Sequence, residues 1–179
     1  MVIARRRMLA SVAGGTLAAV LGAGKLQAAA LADALHLVDP PVPAPDISFV
    51  DADGKPHALS EFRGHGMVIN LWATWCPPCV EEMPSLAALS KAVAPDDIAV
   101  LPLSSDHGGA SAVRAFFAHH DITGLPVLLD PHGAAAHALN ARGLPTSVVI
   151  DKQGRMRARL EGSADWSSPA AVAAVRRLA

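Results

Sequence analysis

The stretch Asn70-Leu71-Trp72-Ala73-Thr74-Trp75-Cys76-Pro77-Pro78-Cys79-Val80-Glu81-Glu82-Met83-Pro84 constrains this chain more than any other. It starts inside the apolar run Met67–Trp72, broken only by Asn70, which predicts a central strand covered on both faces. It runs on into a segment of helical composition reaching Val93, where Pro84 predicts a kink. Between strand and helix stand the only two cysteines of 179 residues. A cysteine just ahead of a helix sits where free N–H groups and the helix dipole favour an anion. The thiolate is the reacting form, so this place makes Cys76 a nucleophile near neutral pH. Cys79, one turn inside the helix, can close a disulfide and release whatever Cys76 has captured. Pro77 and Pro78 stiffen the turn without losing helix bonds, because the first helical N–H is unpaired anyway. They also withhold amides from the thiolate, so the dithiol form is less favoured and the pair is expected to be a reductant. As a purely structural cross-link so small a loop would add little.

The rest of the chain frames this loop. "ISFVDADGKPHAL" carries Asp53-Gly54, the turn signal of an N-terminal hairpin. "LSEFRG" predicts a short helical turn capped by Ser60. "IAVLPLS" is a second buried strand, "SAVRAFFAHHD" a helix, "PVLL" a short extended piece, and "GAAAHALNA" another helix. "TSVVID", the turn Lys152-Gln153-Gly154 and "RMRARLEG" form a C-terminal hairpin, and Ser168-Pro169 opens a last helix to Leu178. This order implies an α/β fold with a central mixed sheet flanked by helices on both faces. "DPPVPAP", Asp39 to Pro45, reads as an extended linker.

The N-terminus has the form of a leader. Arg5, Arg6 and Arg7 precede an uncharged stretch from Met8 to Gly24, followed by Lys25 and Ala28-Ala29-Ala30. This is the pattern of a signal peptide over residues 1–30, cleaved or kept as a membrane anchor through residues 8–24. Four of the 15 basic residues lie in that segment, leaving 11 against 16 acidic ones, about −5 for the body. An acidic body has no footprint for nucleic acid. Arg155, Arg157 and Arg159 alternate along one strand, as on a solvated sheet face.

"WATWCPPCVEEMP" and "GLPTSVVIDKQG", with "EGSADW" before the final helix, resemble the exported TlpA/ResA-type thiol–disulfide reductases of the thioredoxin superfamily. The likeness covers roughly residues 44–179. It implies a thioredoxin fold over residues 46–179, after a linker over 31–45, with the N-terminal β-hairpin as an extension. By that resemblance Cys76 is the attacking cysteine, Cys79 the resolving one, and Pro145 a cis-proline facing the disulfide. Trp75, Leu144 and Pro145 are expected to meet the substrate, and Trp72 to be core. Glu82, three residues past Cys79, matches the glutamate of the family pattern. Residues i and i+3 share a helix face, so Glu82 is expected to reach toward Cys79 as a general base. Asn70 stands where thioredoxins carry a buried aspartate, and Glu81 is expected in solvent. Replacing Glu82 by Gln is expected to leave the fold almost unchanged.

The resemblance further implies a periplasmic protein whose substrate is a disulfide in another exported protein. Such substrates are an apocytochrome c haem site or a copper-site assembly protein of cytochrome oxidase. A membrane thiol reductase would supply the electrons. No cofactor is expected, and no metal site: His119 and His120, being adjacent on a helix, should face apart, and His132 and His137 are five apart. The alternative is a copper-binding chaperone of the Sco kind, but those typically separate their cysteines by three residues. A peroxidase of the peroxiredoxin kind needs Thr-x-x-Cys, and Thr74 is only two before Cys76.

Overall fold

The computed structural model describes residues 35–179. The expected leader therefore lies outside the described residues. No helix among them is long and apolar enough to cross a membrane.

Among the described residues eight strands form one mixed sheet. They are β1 (His36–Pro43), β2 (Ser48–Asp51), β3 (Pro56–Ala58), β4 (Gly66–Trp72), β5 (Ile98–Ser104), β6 (Leu128–Leu129), β7 (Thr146–Ile150) and β8 (Arg155–Glu161). Their spatial order is β1-β8-β7-β4-β5-β6-β2-β3. The β4/β5 and β5/β6 pairs are parallel and the others antiparallel. Among the described residues there are four α-helices: α1 (Pro77–Val93), α2 (Gly109–His119), α3 (Ala134–Ala138) and α4 (Pro169–Leu178).

β4 is the strand the apolar run predicts, and every one of its residues is buried. Its side chains alternate between faces with the period of two that a pleat requires. Val68 and Trp72 belong to the core under α1, α2 and α4, where Trp72 stacks on Phe117 at 5.8 Å. Met67, Ile69 and Leu71 belong to the opposite core, with Phe49, Val148 and Leu139. The same alternation turns Asn70 toward α1. Truncating one such buried side chain, as in Leu86→Ala, costs about 2–5 kcal/mol.

The two hairpins are built alike. Asp51 accepts the amides of Asp53 and Lys55, and Asp151 those of Gln153 and Arg155. Each turn then needs a left-handed residue, supplied by Gly54 (φ +80°) and Gly154 (φ +76°). Asp151 also pairs with Arg155 and Arg157, while Arg159 binds Glu161 and the carbonyls of Leu139 and Asn140. The arginine stripe is thus tied down by partners rather than simply solvated.

Three local expectations need correction. The linker stretch contributes to β1, which pairs with β8 at the sheet edge. Its register breaks between Leu37 and Val42, the interval holding Pro40 and Pro41, which have no N–H for the ladder. The turn at Leu59–Phe62 is a 3₁₀-helix whose N-cap position is Ala58, not Ser60. There Glu61 accepts the Ala58 amide at 3.0 Å. His119 ends α2 and His120 caps it outside helical geometry, so their rings meet edge to face at 4.9 Å instead of diverging. Pro84 lies within α1 without ending it. Ser168 caps α4 as its sequence predicts, accepting the Ala171 amide at 3.2 Å.

Candidate active site

The end of β4 delivers the chain to the Cys-Pro-Pro-Cys turn. Cys76 is the N-cap of α1, in extended conformation (φ −98°, ψ 104°), with Pro77 and Pro78 opening the helix. Its carbonyl accepts the Val80 amide at 3.0 Å, the first bond of the helix. Cys76 and Cys79 are joined in a disulfide, with their Cα atoms 5.3 Å apart. Cys79 is sealed from solvent, whereas Cys76 keeps a 5% edge beside exposed Trp75, Pro77 and Pro78. Trp75 itself is 62% exposed. Trp72, by contrast, is fully buried core.

Antiparallel pairing brings a second segment to this end of the sheet. Leu71 of β4 lies opposite Thr146, the first residue of β7. Leu144 and Pro145 therefore arrive beside the turn that carries Cys76. The Leu144–Pro145 peptide is cis, Pro145 is buried and Leu144 half-buried. Thr146 donates its hydroxyl to the Gly143 carbonyl at 2.8 Å, closing the bend.

Three residues past Cys79 on α1, Glu82 enters a polar cluster inside the apolar core. Asn70 donates from Nδ2 to Glu82 Oε1 at 2.8 Å and to Ser147 Oγ at 3.0 Å. Glu82 Oε2 accepts the Ala164 amide at 3.0 Å and the Trp166 indole N–H at 3.1 Å. Glu82 is only 3% exposed, and burial pushes its carboxyl above the ordinary range. The three donors, from Asn70, Ala164 and Trp166, work against that rise. Glu81, one residue earlier, is exposed. In the disulfide form neither sulfur has a hydrogen to offer Glu82, and its carboxylate is held by these three donors instead. A cleft of about 330 Å³ lined by Glu81, Glu82, Ser85, Ser163, Ala164 and Asp165 runs up to it.

Sequence reading missed Asp106. It follows β5 and accepts the Thr74 amide at 2.9 Å, the Thr74 hydroxyl at 2.6 Å and the Ser104 hydroxyl at 2.7 Å. The one available signal was an aspartate just past a buried strand in a sheet whose strand ends carry the site. Among the described residues no three His, Cys, Asp or Glu side chains group to hold a metal ion. A groove of about 780 Å³ bordered by His36, His137, Arg142 and Glu161 contains neither cysteine.

A thioredoxin-like sheet that presents one vicinal cysteine pair at a helix N-terminus defines a thiol–disulfide oxidoreductase. The comparisons with known proteins agree. The chain belongs to the AhpC/TSA family, which matches residues 41–159. It is similar to the thiol-disulfide oxidoreductase ResA of Bacillus thuringiensis subsp. konkukian, 33% identical over 119 residues, 66% of this chain and 68% of ResA. Among solved structures it resembles a thiol:disulfide interchange protein of the thioredoxin family from Chlorobium tepidum (TM-score 0.64, 26% identity, covering 79% of this chain and 98% of that one). It also resembles the pneumococcal exposed lipoprotein thioredoxin of Streptococcus pneumoniae (TM-score 0.59, 27% identity, 74% and 98%).

Proposed function

We propose that the protein works as a reductase, breaking disulfides in other exported proteins. The Cys76 thiolate attacks one sulfur of the substrate disulfide, and the other sulfur leaves as a thiolate that takes up a proton. Cys79 then gives its proton to Glu82 and attacks Cys76 Sγ, expelling the second substrate thiolate. Two electrons pass to the substrate, and the pair is left as the Cys76–Cys79 disulfide. The 330 Å³ cleft gives Glu82 a way to return its proton to water. A dithiol donor, on this reading a membrane thiol reductase, restores the reduced pair.

The observation that carries this reading is the asymmetry of the two cysteines. Cys76 caps the helix among exposed Trp75, Pro77 and Pro78, while Cys79 is sealed from solvent, three residues before the buried carboxyl of Glu82. Two prolines at the head of α1 remove amides that would hold a thiolate, and a buried acid near the pair disfavours a second anion. Both features favour the disulfide over the dithiol, as suits a reductant. Leu144 and Pro145 form the surface on which a substrate strand would lie beside Cys76, with Trp75 at its rim. The leader and the family resemblance point to the periplasm, and to haem-site or copper-site proteins as substrates.

A trapping experiment tests the proposal. The Cys79→Ser protein, expressed in the periplasm, should accumulate mixed disulfides through Cys76 with a haem-attachment or copper-site protein. Trapping through Cys79 in a Cys76→Ser protein would reverse the assigned roles. Failure of the wild-type protein to reduce any protein disulfide would remove the reductase reading.

A further inference from the structure

We infer that Asp106 is a positioning residue for Cys76, holding the loop in front of it when the disulfide is open. In the oxidised form Cys76 is held by its bond to Cys79, by the loop Ala73–Trp75 and by its carbonyl's bond to the first turn of α1. Reduction removes the first restraint. Around Cys76 the backbone then keeps two hydrogen bonds, Cys76 N–H to the Ala73 carbonyl at 3.2 Å and Val80 N–H to the Cys76 carbonyl. The first of these only ties the loop to itself. What ties the loop to the sheet is Asp106, through both the amide and the hydroxyl of Thr74.

Asp106 is well suited to that task. It is 6% exposed, and its geometry is fixed by Ser104, whose hydroxyl donates to Oδ2 and accepts the Asp106 amide at 3.1 Å. The adjoining turn is joined to β4 by the Ser105 amide, which donates to the Trp72 carbonyl at 3.0 Å. Thr74 stands two residues before Cys76, at most about 7 Å of chain. Together with the Val80 bond to the Cys76 carbonyl, the clamp therefore sets how long the freed Cys76 sulfur stays within reach of Cys79. That is an effective concentration of one thiol for the other, and it enters the disulfide equilibrium directly. The inference goes beyond the proposed reductase direction and does not depend on it.

The test is equilibration of the whole protein with glutathione. Protein disulfide plus two glutathione thiols gives protein dithiol plus glutathione disulfide, two electrons passing to Cys76 and Cys79. Asp106→Ala should shift the equilibrium toward the dithiol by about tenfold, a potential about 30 mV higher. Thr74→Val, which keeps the backbone bond, should shift it the same way by about threefold. Asp106→Asn should stay within about twofold of the wild type, because its oxygen still accepts the Thr74 amide and the hydroxyls can turn to accept from its NH₂. Asp151→Ala, at the opposite end of the sheet, should lower the thermal midpoint and leave the equilibrium in place. A purely structural role for Asp106 would destabilise both redox forms alike and leave the potential unmoved, which would overturn the inference. Equal shifts for Asp106→Asn and Asp106→Ala would overturn it too, since charge and not the clamp would then be responsible. If Asp106→Ala does not fold, Thr74→Val decides, and an unchanged equilibrium there counts against the clamp.

Discussion

Trp166 donates its indole N–H to Glu82 Oε2 at 3.1 Å across 84 positions of sequence. The bond joins the loop before α4 to the buried carboxylate three residues past Cys79 on α1. Hydrogen bonds to a carboxylate favour its ionised form, so this one holds down a pKa that burial raises. Trp166→Phe keeps most of the ring's packing and removes the donor. The pH at which the resolving step gains its base should therefore move upward. Reductase rate against pH, measured beside the wild type, checks the direction.

Glu82→Gln should slow resolution of the mixed disulfide and also lower stability at neutral pH, by about 1–3 kcal/mol. A carboxylate serves three donors here on two oxygens, whereas an amide accepts on one. The structure thereby revises the expectation that this change spares the fold. Because burial raises the Glu82 pKa, its stabilising share is present below the ordinary carboxyl range and is lost as pH rises through the raised value. Wild type should accordingly weaken across that window, and the Gln variant should not. Glu81→Gln, on the exposed face, should match the wild type in both rate and urea midpoint.

His57 sits between two carboxylates, Nδ1 at 2.9 Å from Glu61 Oε2 and Nε2 at 3.1 Å from Asp51 Oδ2. Only the imidazolium can donate to both, since neutral imidazole has one N–H. Glu61 first, then Asp51, raise the His57 pKa. A raised histidine stabilises below its ordinary value of about 6.5, and that share is lost as pH climbs through the higher folded value. Thermal midpoints of the wild type should fall across that window. His57→Phe should lack this slope, while stacking on Phe49 as His57 does at 5.8 Å.

For the redox couple as a whole, the expected potential lies nearer about −270 mV than about −120 mV. Equilibration against glutathione measures it. A value above about −180 mV would place the protein among oxidants and reverse the proposed direction of electron flow.

What the sequence made legible follows from the range of the forces involved. β4 and the Cys-Pro-Pro-Cys turn could be read because an unbroken apolar run, proline at a helix start and a cysteine cap are local signals. The C-terminal hairpin and the Ser168 cap are local in the same way. β1 was hidden because its prolines mark it as a linker, and only the neighbouring β8 supplies the reason for it to be a strand. The Asp106 clamp spans 32 residues to Thr74, and the Trp166 bond 84 residues to Glu82. Nothing periodic in the chain announces either. Asn70, by contrast, stood out as a polar residue in a buried strand, and its partners gave it a purpose that spacing alone did not.

The proline-broken edge strand has a consequence for how this molecule behaves in company. A long sheet offers its rim to any passing chain, and an eight-stranded one has two rims. On one side the outermost strand holds Pro40, Pro41 and Pro43, so much of its row of amide donors is missing. On the other, the outermost strand is only three residues long and opens with Pro56. Among the described residues, both rims are therefore poor templates on which a neighbouring strand could extend the sheet. A thiol–disulfide oxidoreductase that meets other proteins at its cysteine pair thus offers them little edge along which to pair.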